Sequence, residues 1–181
     1  MTLASHADGV TPAEKAMLEE HLPYELDMLE AASAFLHDEK RDRTDVAVRN
    51  AMIEAFWIHA RNLIEFLTLR REQRDGATGV ASARDFTKKT FSSPDNLGSI
   101  VNDVNDQITH LRYERKTSPQ EKLAGWNMDV VRPAILSGIE KFEDSLQEQY
   151  KPLWVWRSSH KSQPVLATMV TTTATIKGVL S

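Results

Sequence analysis

Residues 44–71 read TDVAVRNAMIEAFWIHARNLIEFLTLRR and contain the main apolar concentration of the chain. Apolar side chains recur in this stretch with the period of an α-helix and form one broad face. A second set extends the apolar surface well around the cylinder: Val48, Ala51, Ala55 and Ile58. A helix with so much apolar surface is typical of the middle of a bundle. We therefore expect a central helix that is packed on more than one side.

A first helix is predicted before this stretch. Thr11-Pro12-Ala13-Glu14 has the composition of a capping box, with proline at the first helical position, where its missing N–H does no harm. Apolar residues then recur at roughly helical spacing as far as Leu36. Pro23 lies in the middle of this run and should kink or split the helix.

Three further helices are predicted after the central stretch. Ser82 and Asp85 suit the capped start of a short helix over 83–89. Ser93-Pro94-Asp95 starts a longer one, and a last helix runs over 127–150 with Pro133 near its first turns. The fold class we expect is all-α: a helical bundle of about four main helices plus short helices. The apolar stripe of the helix after Ser93 consists of Leu97, Ile100, Val101, Val104, Ile108 and Leu111.

Composition supports this interpretation and excludes several classes of protein. The 181 residues suit one domain, and seven glycines and seven prolines are too few for many short strands. With no cysteine, the chain can form no disulfide and no cysteine-based metal site. It contains no P-loop, no H-E-x-x-H and no G-x-S-x-G motif. No apolar run is long enough to span a membrane and no secretion signal is evident, so we expect a soluble, cytoplasmic protein without a membrane partner.

The character of the chain changes after residue 150. We therefore divide it into a helical bundle domain over 11–150 and a tail over 151–181. The tail begins with the aromatic segment Trp154-Val155-Trp156 and continues as a basic sequence rich in serine and threonine. Its composition is compatible with an extended strand, an arm on a partner, or poor order.

Two similar polar sequence motifs lie on the predicted helices. His59-Ala60-Arg61-Asn62 lies on the central helix, and His59 is expected to be partly buried and to need a partner. The second motif contains His110 and lies at the end of the helix after Ser93. The His110 side chain is expected to point away from the apolar stripe of that helix, either to solvent or to a second packing surface. The candidate ligand-binding residues are His59, Arg61, Asn62, His110, Arg112, Tyr113 and Arg115.

At these residues the sequence resembles an uncharacterised family of bacterial helical proteins. More distantly it resembles HEPN domains, helical bundles that often dimerise and in many members cleave RNA. The resemblance covers roughly residues 20–145. The HEPN catalytic motif is an arginine followed by four to six residues and a histidine, which this chain lacks, so no catalytic residue is carried over. The segments that carry the resemblance are Ala55-Phe56-x-x-His59-Ala60-Arg61-Asn62-Leu63-Ile64-x-Phe66-Leu67, Asp85-Phe86 and Ile108-x-His110-Leu111-x-Tyr113-x-Arg115.

Three hypotheses for function follow. The first is a polar pocket of the seven candidate residues that binds an anionic ligand or RNA phosphate, because arginine suits phosphate and histidine can act as acid or base. The second is a non-enzymatic interaction module, a homodimer that engages a partner through the exposed Trp154-Val155-Trp156 segment and the basic tail. The third, ranked last, is a metal site of His59, His110 and either Glu54 or Asp106. No cofactor is predicted, and the sequence leaves open whether the protein is an enzyme.

Overall fold

A computed structural model describes residues 9–38, 45–69, 80–93, 97–98, 100 and 128–156. Within these ranges the fold is all-α, as predicted, and the only β pairing is a single bridge between Thr87 and Leu146. None of the described helices combines the length and apolarity that crossing a membrane requires. The helices in chain order are α1 (Pro12–Ala16), a π-helix (Met17–His21), α2 (Leu22–His37), α3 (Val46–Thr68), α4 (Ala83–Phe86), α5 (Met128–Ser145) and a 3₁₀ turn (Lys151–Leu153).

The N-terminal helical run confirms the predicted capping box. The Thr11 hydroxyl accepts a hydrogen bond from the Glu14 amide at 3.2 Å, and the Glu14 carboxylate accepts from the Thr11 amide at 2.8 Å. The run is divided next to Pro23, where the π-helix gives way to α2. Proline has no N–H to donate to the carbonyl four residues earlier, and its ring crowds that carbonyl. A wider π turn directly before the proline accommodates both effects.

Helix α3 is the central helix and packs against both α2 and α5. Asp45 caps its start by accepting a hydrogen bond from the Val48 amide at 3.1 Å. Its end is joined to α4, because the Ser82 hydroxyl donates to the carbonyl of Leu69 at 2.9 Å. Ser82 and Asp85 form the predicted capping box of α4.

Two predicted helix ends are wrong. Helix α4 stops at Phe86 rather than near residue 89, and α5 stops at Ser145 rather than near residue 150. The reason is a pairing between the two ends: the Lys88 amide donates to the Ser145 carbonyl at 2.9 Å. The Gln147 amide in turn donates to the Phe86 carbonyl at 3.0 Å. These bonds replace the next turn of each helix. Pro133 lies inside α5, as predicted.

The core is formed mainly by α2, α3 and α5 and is closed by an aromatic cluster. Phe142 lies at the centre of that cluster, with the ring of Phe66 5.2 Å and that of Trp154 5.4 Å away, both edge-on. Leu97 is buried and Ile100 half-buried, as the stripe after Ser93 predicts; the rest of that stripe lies outside the described residues. Other fully buried side chains are Leu18, Leu26, Leu29, Phe56, Trp57, Leu63, Ile64, Leu67, Phe86 and Ile135.

Two expectations about exposure are wrong. Val48, Ala51 and Ile58 were expected to pack within the bundle, yet all three are exposed, because α2 and α5 cover other sides of α3. Trp154 and Trp156 were expected to be exposed, yet both are buried in the core. They lie beyond the predicted end of the helical domain at residue 150, and residues 157–181 of the tail lie outside the described residues.

Candidate functional site

A carboxylate, an imidazole and an amide meet between α2 and α3. The His59 Nδ1 atom lies 2.8 Å from Oε2 of Glu25, and the Asn62 side-chain amide donates to the same oxygen at 3.1 Å. The side chain of His59 is 11% exposed and that of Glu25 is 23% exposed. His59 and Asn62 are three residues apart on α3, which places both on the side that faces Glu25.

The hydrogen bonds define the chemistry of the imidazole. An ionised carboxylate only accepts hydrogen bonds, so Nδ1 of His59 carries a proton. In the neutral ring the Nε2 atom then has a free lone pair and can accept a proton or a hydrogen bond. Tyr24 lies beside this ring, edge-on, with ring centroids 5.7 Å apart, and is itself 56% exposed. The cluster is therefore a carboxylate-oriented histidine next to a solvent-exposed tyrosine.

Arg61 is not part of this cluster. It lies two residues after His59, about 200° around the helix. One of its terminal nitrogens, Nη2, forms an ion pair with Oε1 of Glu65 at 2.9 Å. Its Nε atom is buried and has no hydrogen-bond partner within the described part of the chain. The structure thus brings His59 and Asn62 together and holds Arg61 on another side of α3.

The other four predicted residues, His110, Arg112, Tyr113 and Arg115, lie outside the described residues. Whether they share a pocket with His59 therefore stays a prediction. The same holds for the metal hypothesis, since it needs His110. Among the described residues, no three histidine, aspartate or glutamate side chains are grouped so that they could hold a metal ion.

Glu25 is not among the residues that the sequence predicted for this site. A signal for it was present in the sequence. Leu22, Leu26 and Leu29 are buried along α2, and position 25 completes the i, i+3, i+4, i+7 pattern of that apolar stripe. A carboxylate in such a pattern faces the neighbouring helix and needs a hydrogen-bonding partner there.

Comparison of the chain with protein-family models, with curated proteins and with solved structures finds no match. The resemblance to bacterial helical proteins and to HEPN domains therefore stays a prediction.

Proposed function

We propose that the protein is a non-catalytic interaction module that forms a homodimer through the outer face of α3. One observation carries this proposal: an exposed apolar stripe runs along the first half of the helix. Val48 is 40% and Ile58 is 44% exposed, Ala51 between them is exposed, and Ala55 is half-buried. Apolar side chains exposed singly are ordinary, but a continuous patch is typical of an interaction site.

The spacing of this stripe suggests how two copies would meet. Val48, Ala51, Ala55 and Ile58 follow the i, i+3, i+7, i+10 pattern of a two-helix seam. If two α3 helices pack antiparallel about a two-fold axis that crosses the stripe midway between Ala51 and Ala55, Val48 meets Ile58 and Ala51 meets Ala55. The stripe is then complementary to itself, and the small alanines allow the backbones to approach closely. Two-fold dimers are also the commonest oligomers.

The test is the oligomeric state of the full chain, measured by sedimentation velocity over a range of concentrations. We expect a dimer for the native protein and a monomer for Val48→Glu and for Ile58→Glu, because each change buries a charge in the seam. Val130→Glu is the matched control, since Val130 is a 54% exposed valine on α5. A monomeric native protein, or equal dissociation by the Val130 variant, would refute the proposal.

Glu54 allows a second check on the same interface. It is exposed and lies beside the stripe, close to the proposed two-fold axis, so the two copies bring like charges near each other. Salt screens this repulsion while leaving apolar burial intact. Dimerisation should therefore strengthen as ionic strength rises, and weakening by salt would argue against an interface centred on this stripe.

The second candidate function is binding of an anionic ligand or RNA phosphate. It is supported by the Nε atom of Arg61, which is buried and has no hydrogen-bond partner among the described residues. An arginine with a free donor can bind a phosphate oxygen. A phosphate would bind here in competition with Glu65, which engages Arg61, and with Glu25, which engages His59.

Titration with single-stranded RNA at low salt, followed by fluorescence anisotropy, tests this second candidate. We expect salt-dependent binding that Arg61→Ala weakens at least several-fold. Arg49→Ala is the control, since Arg49 is an exposed arginine on the same helix. Absence of RNA binding, or equal loss in both variants, would exclude a phosphate site at Arg61.

A further inference from the structure

Two polar pairs join α2 to the first turns of α5. The Glu30 carboxylate on α2 accepts two hydrogen bonds from Arg132 on α5. One comes from Nε, at 2.7 Å, and the other from Nη2. Two turns further along α2, Nε2 of His37 lies 2.8 Å from Oδ1 of Asp129. The first pair joins a guanidinium to a carboxylate, whereas the second contains a histidine, the side chain whose ordinary pKa lies closest to physiological pH.

Both ring nitrogens of His37 face acceptors. Nδ1 lies 2.7 Å from the backbone carbonyl oxygen of Ser33, which can only accept a hydrogen bond. Nε2 faces the Asp129 carboxylate, which also only accepts when it is ionised. A neutral imidazole carries a single N–H and can satisfy one of these contacts, while the imidazolium satisfies both. The two contacts together therefore favour the protonated ring.

The surroundings of His37 favour the positive charge. The residue lies in the last turn of α2, where the helix dipole favours cations, and Asp129 lies in the first turn of α5, where it favours anions. The hydrogen bond to the Ser33 carbonyl and then the contact with Asp129 raise the pKa of His37 above its ordinary value of 6.5. Partial burial and the Arg132 guanidinium act in the opposite direction but do not prevail.

We propose that the His37–Asp129 contact is a pH-dependent switch that holds the first turns of α5 against the end of α2. Below pH 6.5 the ring is protonated and donates to both acceptors. As pH rises through the raised pKa, the ring loses a proton, one of the two bonds and its charge attraction to Asp129, so the contact that holds the first turns of α5 weakens. Because the side chains of His37 and Asp129 are 49% and 74% exposed, the effect is moderate.

The first measurement uses the native protein and needs no variant. Titration of the imidazole followed by NMR should show the His37 ring with a pKa above 6.5, together with both ring nitrogens protonated at low pH. His21, an exposed histidine at the end of the π-helix, is the internal reference. A His37 pKa at or below 6.5 would overturn the proposal.

The second measurement is amide hydrogen exchange in α5, expressed as protection factors so that the intrinsic pH dependence of exchange is removed. Between about pH 6 and about pH 8, protection in the first turns of α5 should fall about two- to fivefold, the range expected of an exposed ion pair. Protection around Ile139 and Phe142, in the buried part of the same helix, should change much less.

His37→Gln is the decisive variant, because glutamine keeps a polar side chain but does not titrate. In this variant the pH dependence of protection at the start of α5 should disappear, and it should persist in the control His21→Gln. Persistence in the His37 variant would refute the switch, as would a uniform pH response along the whole helix.

Discussion

The Glu25 carboxylate is the acceptor in the polar contact between α2 and α3. One of its oxygens accepts from both His59 and Asn62 in a partly buried position. Removal of the carboxylate leaves two donors without an acceptor, and a buried unsatisfied group costs about 1–3 kcal/mol. The imidazole and the carboxylate should therefore stabilise the fold as a unit rather than independently.

We predict that Glu25→Ala lowers the free energy of unfolding by about 1–3 kcal/mol. His59→Ala should also destabilise, and the double variant should lose less than the sum of the two, because each removes the same hydrogen bond. Urea denaturation of all four proteins measures this coupling. Glu20→Ala, at an exposed glutamate of the same helical run, should stay within about 0.5 kcal/mol of the native protein. Additive losses would mean that the dyad contributes no coupling.

At the scale of the helix, the features that could be predicted depend on residues close together in the sequence. The capping boxes at Thr11 and Ser82 involve residues three positions apart, so the sequence alone identifies them. The interruption at Pro23 is equally local, because it follows from a missing N–H within one turn. The start of α3 was also predicted to within two residues, although the capping side chain is Asp45.

Features that depend on distant residues could not be predicted. Helix α4 ends at Phe86 because the backbone that follows pairs with residues 145–147, about sixty positions away in the chain. Periodicity placed Ile58 in the second apolar set of α3, but its exposure depends on which sides of α3 the helices α2 and α5 cover, and this could not be predicted from the sequence. In the candidate site, His59 was predicted to be partly buried, but its partner depends on the register between α2 and α3.

At the scale of the whole molecule, the last described residues close the bundle against its first helices. The Tyr150 hydroxyl donates to Oε1 of Glu14 at 2.7 Å, and burial with this contact raises the pKa of Tyr150 to about 12. The Trp156 indole donates to Oδ1 of Asp27 at 3.2 Å. Segments more than 120 residues apart in the sequence are thus joined by side chains that follow α5. The 151–156 segment is consequently part of the folded domain rather than an appendage to it.

If the 151–156 segment is part of the folded domain, substitutions at two neighbouring positions in it should change the free energy of unfolding by very different amounts. Trp154 is 5% exposed and packs edge-on against Phe142, so Trp154→Ala should cost about 3–5 kcal/mol of unfolding free energy through the cavity it leaves. Val155, the next residue, is 49% exposed, and Val155→Ala should be close to neutral. Urea denaturation followed by circular dichroism avoids the change in tryptophan fluorescence that the first substitution causes. Equal stability of the two variants would show that the aromatic cluster does not need its C-terminal member, and the segment would then be an external arm.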